Sequence, residues 1–232
     1  MWNSQAETIQ KYLYPSLGDF DVYMSISTKE GVREPRVGDQ SACASLTPPP
    51  PARMFCEVIP EEQVPLMNED VWHTFYYHDQ PRGQQGLLQQ LLGQQRCAMM
   101  MARQVIESNV GYRYAVRVRP DLAFFAPFPP VATLFQAGSR SIKFNNAALC
   151  CCGNEDTFGA GEFFPMTLYF NRIVGLHHAS AGFLKVTPWA AETFLLEYMK
   201  TNFGVALEED RRIAACIVKP LYRLHRIMSG KA

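Results

Sequence analysis

The sequence predicts an α/β domain, and three observations carry that class. A helical pattern near the start runs directly into an apolar strand pattern, and such alternation is the mark of layered α/β folds. A long amphipathic helix over 84–109 is followed at once by a period-2 strand. The chain has 232 residues, 47% of them apolar and 19% charged, which suffices for one large domain with its own core. That balance excludes a disordered chain, a collagen-like fibre and a supercharged surface.

Each element has a local reason. Residues 3–17 read as a short helix, with Ser4 as a cap, Ile9, Tyr12 and Leu13 on one face and Pro15 ending it. Asp21 to Ser27 is apolar and bounded by Gly18 and a charged loop, so it reads as a strand. Residues 29–53 differ in composition: Gly31, Pro35, Gly38 and the run Pro48 to Pro51 mark an insertion loop with a polyproline II segment. A plain loop is favoured there over a docking segment for an SH3-like partner. Phe55 to Pro60 is a second strand, and 61–80 is irregular chain rich in Trp72, Phe75, Tyr76 and Tyr77. In the helix over 84–109, Leu87, Leu88, Leu91, Leu92, Gln95, Ala98, Met99, Ala102, Val105 and Ile106 follow a 3.6-residue period, and Gly111 ends it. Tyr112 to Phe125 alternates as a strand that Pro120 should stop, because proline cannot donate to a sheet ladder. Ser141 to Phe144 is a short strand. Asn154 to Gly161 is a polar, glycine-bearing loop, and Pro165 to Arg172 a helix. A further helix starts with Thr187 as cap and Pro188 in the first turn, and Gly204 follows its end. Ala214 to Val218 is a last short strand or helix.

Composition also limits function. Lys plus Arg is 22 and Asp plus Glu is 22, so the basic excess of a general nucleic-acid binder is absent. No apolar run approaches the ~20 residues of a membrane helix, so no transmembrane segment is expected. The start, Met1 to Thr8, has neither a basic nor a hydrophobic leader region, so no signal peptide is expected. As written this implies a cytoplasmic protein; a truncated N-terminus would leave the Golgi or secretory pathway open. The seven cysteines form no zinc-type spacing. The run Cys150 to Cys152 reads as small buried residues, with redox activity as the rarer alternative.

Two constellations could carry chemistry. In Arg117-Val118-Arg119-Pro120-Asp121, alternation puts Arg117 and Arg119 on one strand face. Two guanidiniums on a half-buried strand need anions. Asp121 could be one partner in a structural network; a pyrophosphate, which arginine matches in a bidentate way, could be another. Asp121 sits just past a strand's carboxyl end, where open α/β sheets bind ligands. The second constellation is Asn154-Glu155-Asp156 followed by Gly159 and Gly161. A carboxylate there could contact a sugar hydroxyl, hold a divalent metal or act as a base; a helix-capping aspartate in a turn is the plainer reading. His177 and His178 point to different faces of any regular element and read as surface loop. The run Glu208 to Arg212 reads as a solvated turn, with Glu209 or Asp210 as a base the minority option. His73 and His78 lie beside Trp72 and Tyr76, which could stack on a sugar or simply pack. No Gly-x-Ser-x-Gly elbow and no phosphate-binding glycine loop is present.

Taken together, a helix with Cys97 and Glu107, the segment Gly111 to Asp121, then Asn154-Glu155-Asp156-Thr157-Phe158-Gly159 and a helix with Tyr169 and Arg172 resemble a known family. The pattern is similar to the GT-A-type glycosyltransferase-like proteins of algae, fungi, plants and large algal viruses. Those carry an R-x-R-x-D strand end and a later N-D-x-F-x-x-G segment. Asp19 to Tyr23 is also similar to their second strand. The resemblance implies one Rossmann-like GT-A domain over 1–232, a mainly parallel twisted sheet with helices on both faces. It implies a transferase that moves sugar from a nucleotide-sugar donor to a glycan, lipid or protein acceptor. Arg117, Arg119 and Asp121 would bind the donor, Asp121 would hold Mn²⁺ or Mg²⁺ against the diphosphate, and Asp156 would be the catalytic residue on the sugar side.

Two departures from the pattern follow. Position 119 is Arg where an Asp-x-Asp pair is usual, which leaves one carboxylate for the metal. The chain opens on the helix that would follow the first, base-binding strand, so that strand is expected to be missing. Both favour the rival class, a transferase-like scaffold that binds a glycan or protein without catalysis.

Overall fold

The computed structural model describes residues 2–28, 48, 50, 52–60, 81–119, 122–145, 157–178 and 191–217. Most of the proline-rich insertion, the aromatic stretch 61–80, Cys150 to Cys152, Thr187, Pro188 and the carboxylates Asp121 and Asp156 lie outside the described residues. The class is mixed α/β, as the alternation predicts.

The first helix has three parts: α1 (Trp2–Thr8), a π-helical turn at Ile9–Leu13 and a 3-10 turn at Tyr14–Ser16. Pro15 lacks an N–H and restricts the residue before it, so the regular ladder cannot run on to 17. Ala6, Ile9, Leu13 and Tyr14 form the buried stripe. The segment is pinned to residues 122–128 by polar bonds. Thr8 Oγ1 accepts the Phe124 N–H at 3.1 Å, the Phe128 N–H donates to the Tyr12 carbonyl at 2.9 Å, and Ser16 Oγ donates to the Phe128 carbonyl.

β1 (Asp21–Thr28) and β2 (Arg53–Pro60) pair in parallel, with Asp21 opposite Arg53 and Thr28 opposite Pro60. Cys56 on β2 is disulfide-bonded. The long helix α2 (Pro81–Ser108) buries Leu88, Leu91, Gln94, Ala98 and Met101, while Met99 and Ile106 face solvent. Asn109, at φ 54°, makes the left-handed turn after this helix that was expected of Gly111; asparagine tolerates that region because its short side chain bonds locally. No helix among the described residues is long and apolar enough to cross a membrane.

The remaining strands are β3 (Tyr114–Val118), β4 (Leu122–Phe124), β5 (Ser141–Phe144), β6 (Phe158–Glu162), β7 (Ala206–Glu209) and β8 (Ala215–Ile217). The helices between are α3 (Phe163–Phe170), α4 (Ile173–His178) and α5 (Ala191–Phe203). One sheet runs in the order β3-β6-β5-β7, and β4 pairs with β8. The expected mainly parallel sheet is corrected here. β1–β2 and β5–β7 are parallel, but β3–β6, β5–β6 and β4–β8 are antiparallel. The reason is β6, a strand that the sequence reads as loop, which inserts between β3 and β5 against the direction of both.

Glycine depletion in strands explains the misreading, and packing explains the glycines. Phe158 and Ala160 point into one core, with Leu122, Phe124, Phe128 and the N-terminal helix. Gly159 and Gly161 occupy the alternate positions, against α3. A Cβ on Gly161 would lie 3.0 Å from Met166 Cγ and 3.1 Å from the Ser141 carbonyl oxygen. On Gly159 it would find ordinary contact, 3.6 Å from the Tyr169 ring. The second core gathers Ala98, Met101, Ala115, Ile142, Phe144, Met166, Tyr169, Phe170 and Met199. β3 therefore has a core on each face, with helices behind both.

Strands β1 and β3 start from one polar knot. The Asp21 carboxylate accepts Arg53 Nη2 at 2.7 Å and the Tyr112 hydroxyl at 2.5 Å, and the Tyr112 and Tyr23 hydroxyls share a bond of 2.6 Å. Burial pushes the Asp21 carboxyl up, but the bonds from Arg53 and Tyr112 outweigh it and hold the group below its ordinary 3.8. Burial, then the Asp21 and Tyr23 bonds, push the Tyr112 phenol well above its usual range.

Two predictions follow. Gly161→Ala should lower stability by about 1–3 kcal/mol in urea denaturation, because a backbone carbonyl cannot yield to the added methyl, whereas Gly159→Ala should cost little. Asp21→Asn should lower Tm at neutral pH. A depressed carboxyl stabilises above the unfolded-state pKa and loses its contribution as pH falls through the folded one. The Tm difference between wild type and Asp21→Asn should therefore be full above about pH 4 and close at lower pH; a pH-independent difference would remove the carboxylate from this role.

Candidate functional site

The candidate site is built on β3. Its Tyr114, Val116 and Val118 pack on the core of the N-terminal helix, while Ala115 joins the core behind α2. Alternation puts Arg117 on the Ala115 face, where it is 7% exposed. The β3–β6 register then sets Arg117 opposite Gly159 and Val118 opposite Phe158. One residue further, the Arg119 N–H donates to the Thr157 carbonyl at 3.0 Å, and the Leu122 N–H returns to the Arg119 carbonyl at 3.0 Å.

The two constellations read from the sequence thus meet at the carboxyl end of β3. Arg119 and Thr157 are the described residues there; Asp121 and Asp156 lie outside them. Gly159 and Gly161, expected to flank a carboxylate loop, are corrected to strand residues that admit α3.

Around Arg117 is a set of buried polar groups from three elements. Cys97 of α2 donates its thiol to the Tyr23 carbonyl at 3.7 Å, and the Ser25 N–H donates to its sulfur. Burial pushes that thiol up to about 12, with Glu57 raising it further and Arg117 and the Ser25 bond acting the other way. The residue as a whole is partly exposed, but the sulfur is its enclosed end. About one helical turn earlier, the Gln94 carbonyl oxygen accepts Arg172 Nη1 at 2.7 Å. Arg172 also donates to the Tyr169 carbonyl at 3.0 Å and lies 3.8 Å from the Tyr169 ring centroid. Arg117 Nη1, Gln94 Nε2 and Ser25 Oγ are among the buried atoms here that make no hydrogen bond.

This arrangement supplies donors and positive charge from Arg117 and Arg172, and a carboxylate from Glu57, opposite Ser25 on β2. Among the described residues no group of three or more His, Cys, Asp or Glu side chains could hold a metal ion. The other sequence candidates stand elsewhere. Tyr169 is fully buried in the second core. His177 and His178 are on α4 rather than in a loop. Glu208 and Glu209 end β7 rather than a solvated turn, and Glu208 pairs with Lys143. The Arg212 bond holds the Asp210 carboxyl below its ordinary range, so this carboxylate is tied to a cation and poorly suited as a base.

Ser25 and Gln94 are absent from the sequence reading. A signal for Gln94 exists: Leu91, Gln94, Ala98 and Met101 follow 3-4-3 spacing, which puts an amide in the buried stripe of α2. Nothing comparable marks Ser25.

No protein-family model matches the chain, and no curated protein sequence matches it.

Cys97 provides a direct check of this environment. Its thiol should resist iodoacetamide at pH 8 in the folded protein and react on unfolding, read by peptide mapping, because the thiolate is the reactive form and burial suppresses it. Rapid native-state alkylation of Cys97 would show the thiol to be open.

Proposed function

We propose that this chain is a nucleotide-sugar-dependent glycosyltransferase with a Rossmann-like GT-A fold, acting on a glycan, lipid or protein acceptor. The observation that supports the reading is the β3–β6 pairing, which sets Arg117, Val118 and Arg119 beside Gly159, Phe158 and Thr157. Remote segments joined in register at a strand's carboxyl end fit a ligand site better than two unrelated turns.

In this reading Arg119 stands at the strand end and Arg117 one pleat deeper on the same face. A guanidinium matches phosphate oxygens in a bidentate way. In a site sheltered from water, its charge stabilises the negative charge that builds on the departing diphosphate, and it is already in place when that charge appears. Asp156 would serve on the sugar side, as hydroxyl binder or general base for the acceptor. Asp121 is the carboxylate for Mn²⁺ or Mg²⁺, which would add to the neutralisation that the arginines supply.

The test is a thermal-shift titration against UDP, GDP, ADP and CMP, with and without Mn²⁺. A ligand at ~100 times its dissociation constant stabilises the fold by about 2.7 kcal/mol, a rise of roughly 5–11 °C at this chain length. We expect one diphosphate to give that rise, and Arg119→Ala to lose it. Full turnover by Asp121→Ala would remove Asp121 from the site. No shift with any nucleotide would overturn the reading in favour of a non-catalytic scaffold.

A further inference from the structure

We infer that this chain matures in an oxidising compartment and that the disulfide at Cys56 is the clamp that holds β2 on β1. The inference is independent of the transferase reading.

Among the described residues β2 has one ladder, the parallel one to β1. Parallel pairing is slightly weaker per residue than antiparallel, and two strands by themselves are marginal in water. Packing adds little to it. Val58 is buried, but Met54, Phe55, Cys56 and Glu57 are half-buried and Arg53 is exposed. Among the described elements β1 is the chief neighbour of β2. Residues 29–52 join the two strands, and closing so long a connection costs chain entropy. Two contacts oppose that cost: the Arg53–Asp21 ion pair at 2.7 Å and the Tyr23–Phe55 ring stack at 4.9 Å. The Arg53 side chain is 53% exposed, and ion pairs in that condition contribute little. The covalent bond at Cys56, in the middle of β2, acts differently, because a cross-link restricts the unfolded chain and so favours the folded one.

The cysteines divide accordingly. Of the seven, Cys56 is bonded and Cys97 is free, so the partner of Cys56 is among Cys43, Cys150, Cys151, Cys152 and Cys216. Alternation puts Cys56 on the side of Met54, and the register sets it opposite Met24; both methionines pack on the core of the N-terminal helix. Cys97 is on α2, whose Ala98 and Met101 build the other core. The β1–β2 ladder therefore stands between the two cysteines. Burial also keeps the Cys97 thiol protonated, and the thiolate is the form that attacks a disulfide. Internal exchange with Cys97 is closed in the folded chain, which is the condition of a structural disulfide rather than a redox relay. Its formation removes two electrons. The two thiols exchange with the disulfide of an oxidising catalyst: the S–S bond of this chain forms, that of the catalyst breaks, and the catalyst leaves as a dithiol with both protons. Such catalysts work in the secretory lumen and the periplasm, whereas glutathione and thioredoxin keep cytosolic thiols reduced. A structural disulfide thus places the chain outside the cytosol.

The experiment has two arms. In the first, cells that make the protein naturally are quenched in acid, free thiols are alkylated under denaturing conditions, and the unreduced digest is mapped by mass spectrometry. We expect the Cys56 peptide joined to a second cysteine peptide in nearly all copies, and the Cys97 peptide alkylated. Cys56 recovered as an alkylated thiol overturns the oxidising compartment. In the second arm Tm is measured for purified wild type and Cys56→Ser, each with and without a phosphine reductant. Reduction should lower the Tm of wild type by about 5–10 °C and leave that of Cys56→Ser unchanged. A wild-type Tm that reduction does not move overturns the clamp, even where the bond is present. A Cys56→Ser protein that loses as much on reduction as wild type overturns the assignment to Cys56, since another disulfide would then carry the effect. If Cys56→Ser does not fold, the wild-type pair and the peptide map still decide both parts. Neither arm uses a nucleotide, so failure here leaves the transferase reading where it stands.

Discussion

The antiparallel ladder between β3 and β6 is the constraint on which the rest of the structure depends. It joins segments distant in sequence, and its register is fixed from both sides. Phe158 and Ala160 must enter the apolar core beneath the N-terminal helix, while the positions between them must stay small to admit Met166 and Tyr169 of α3. A slip of one residue would turn Phe158 toward α3 and a glycine toward the core, so packing leaves one register. That register puts Arg117 opposite Gly159 and brings Arg119 to Thr157. The meeting of Arg119 with Thr157 is therefore a by-product of how two cores are packed.

The two faces of β3 are treated differently. Toward the N-terminal helix the packing is apolar and rich in aromatic rings. Toward α2 the apolar core gives way to Arg117, Gln94, Cys97 and Ser25. A fold optimised for stability alone would fill that region with aliphatic side chains, because buried polar groups without partners cost free energy. The knot of Asp21, Arg53, Tyr112 and Tyr23 makes the contrast plain. It is equally polar, but each charge meets its opposite within the chain, and its task is to hold the starts of β1, β2 and β3 together.

How much was legible in the sequence follows from which forces are local. The long helix was readable because its apolar stripe repeats over about five turns, and β1, β3 and β5 because alternation or an apolar run marks each of them. β6 was not, since Phe-Gly-Ala-Gly-Glu carries no strand propensity and its glycines answer to α3, an element read separately. Missing that strand also produced the expectation of a mainly parallel sheet. In the site, Arg117 and Arg119 stood out as paired cations on a strand, but their unequal burial did not. Ser25 stayed hidden because a serine in an apolar strand looks like any exposed position until a helix covers it.

By itself the sequence determined the class, the place of the long helix, the alternation that assigns Arg117 and Arg119 to one side of their strand, and the absence of a net charge. These are properties of residue type and spacing along a few turns of chain. Only the tertiary structure decided strand order and direction, the burial of Arg117, and the meeting of the β3 end with Thr157. Those outcomes depend on which surfaces exclude water from one another, and that competition is settled between elements far apart in the chain.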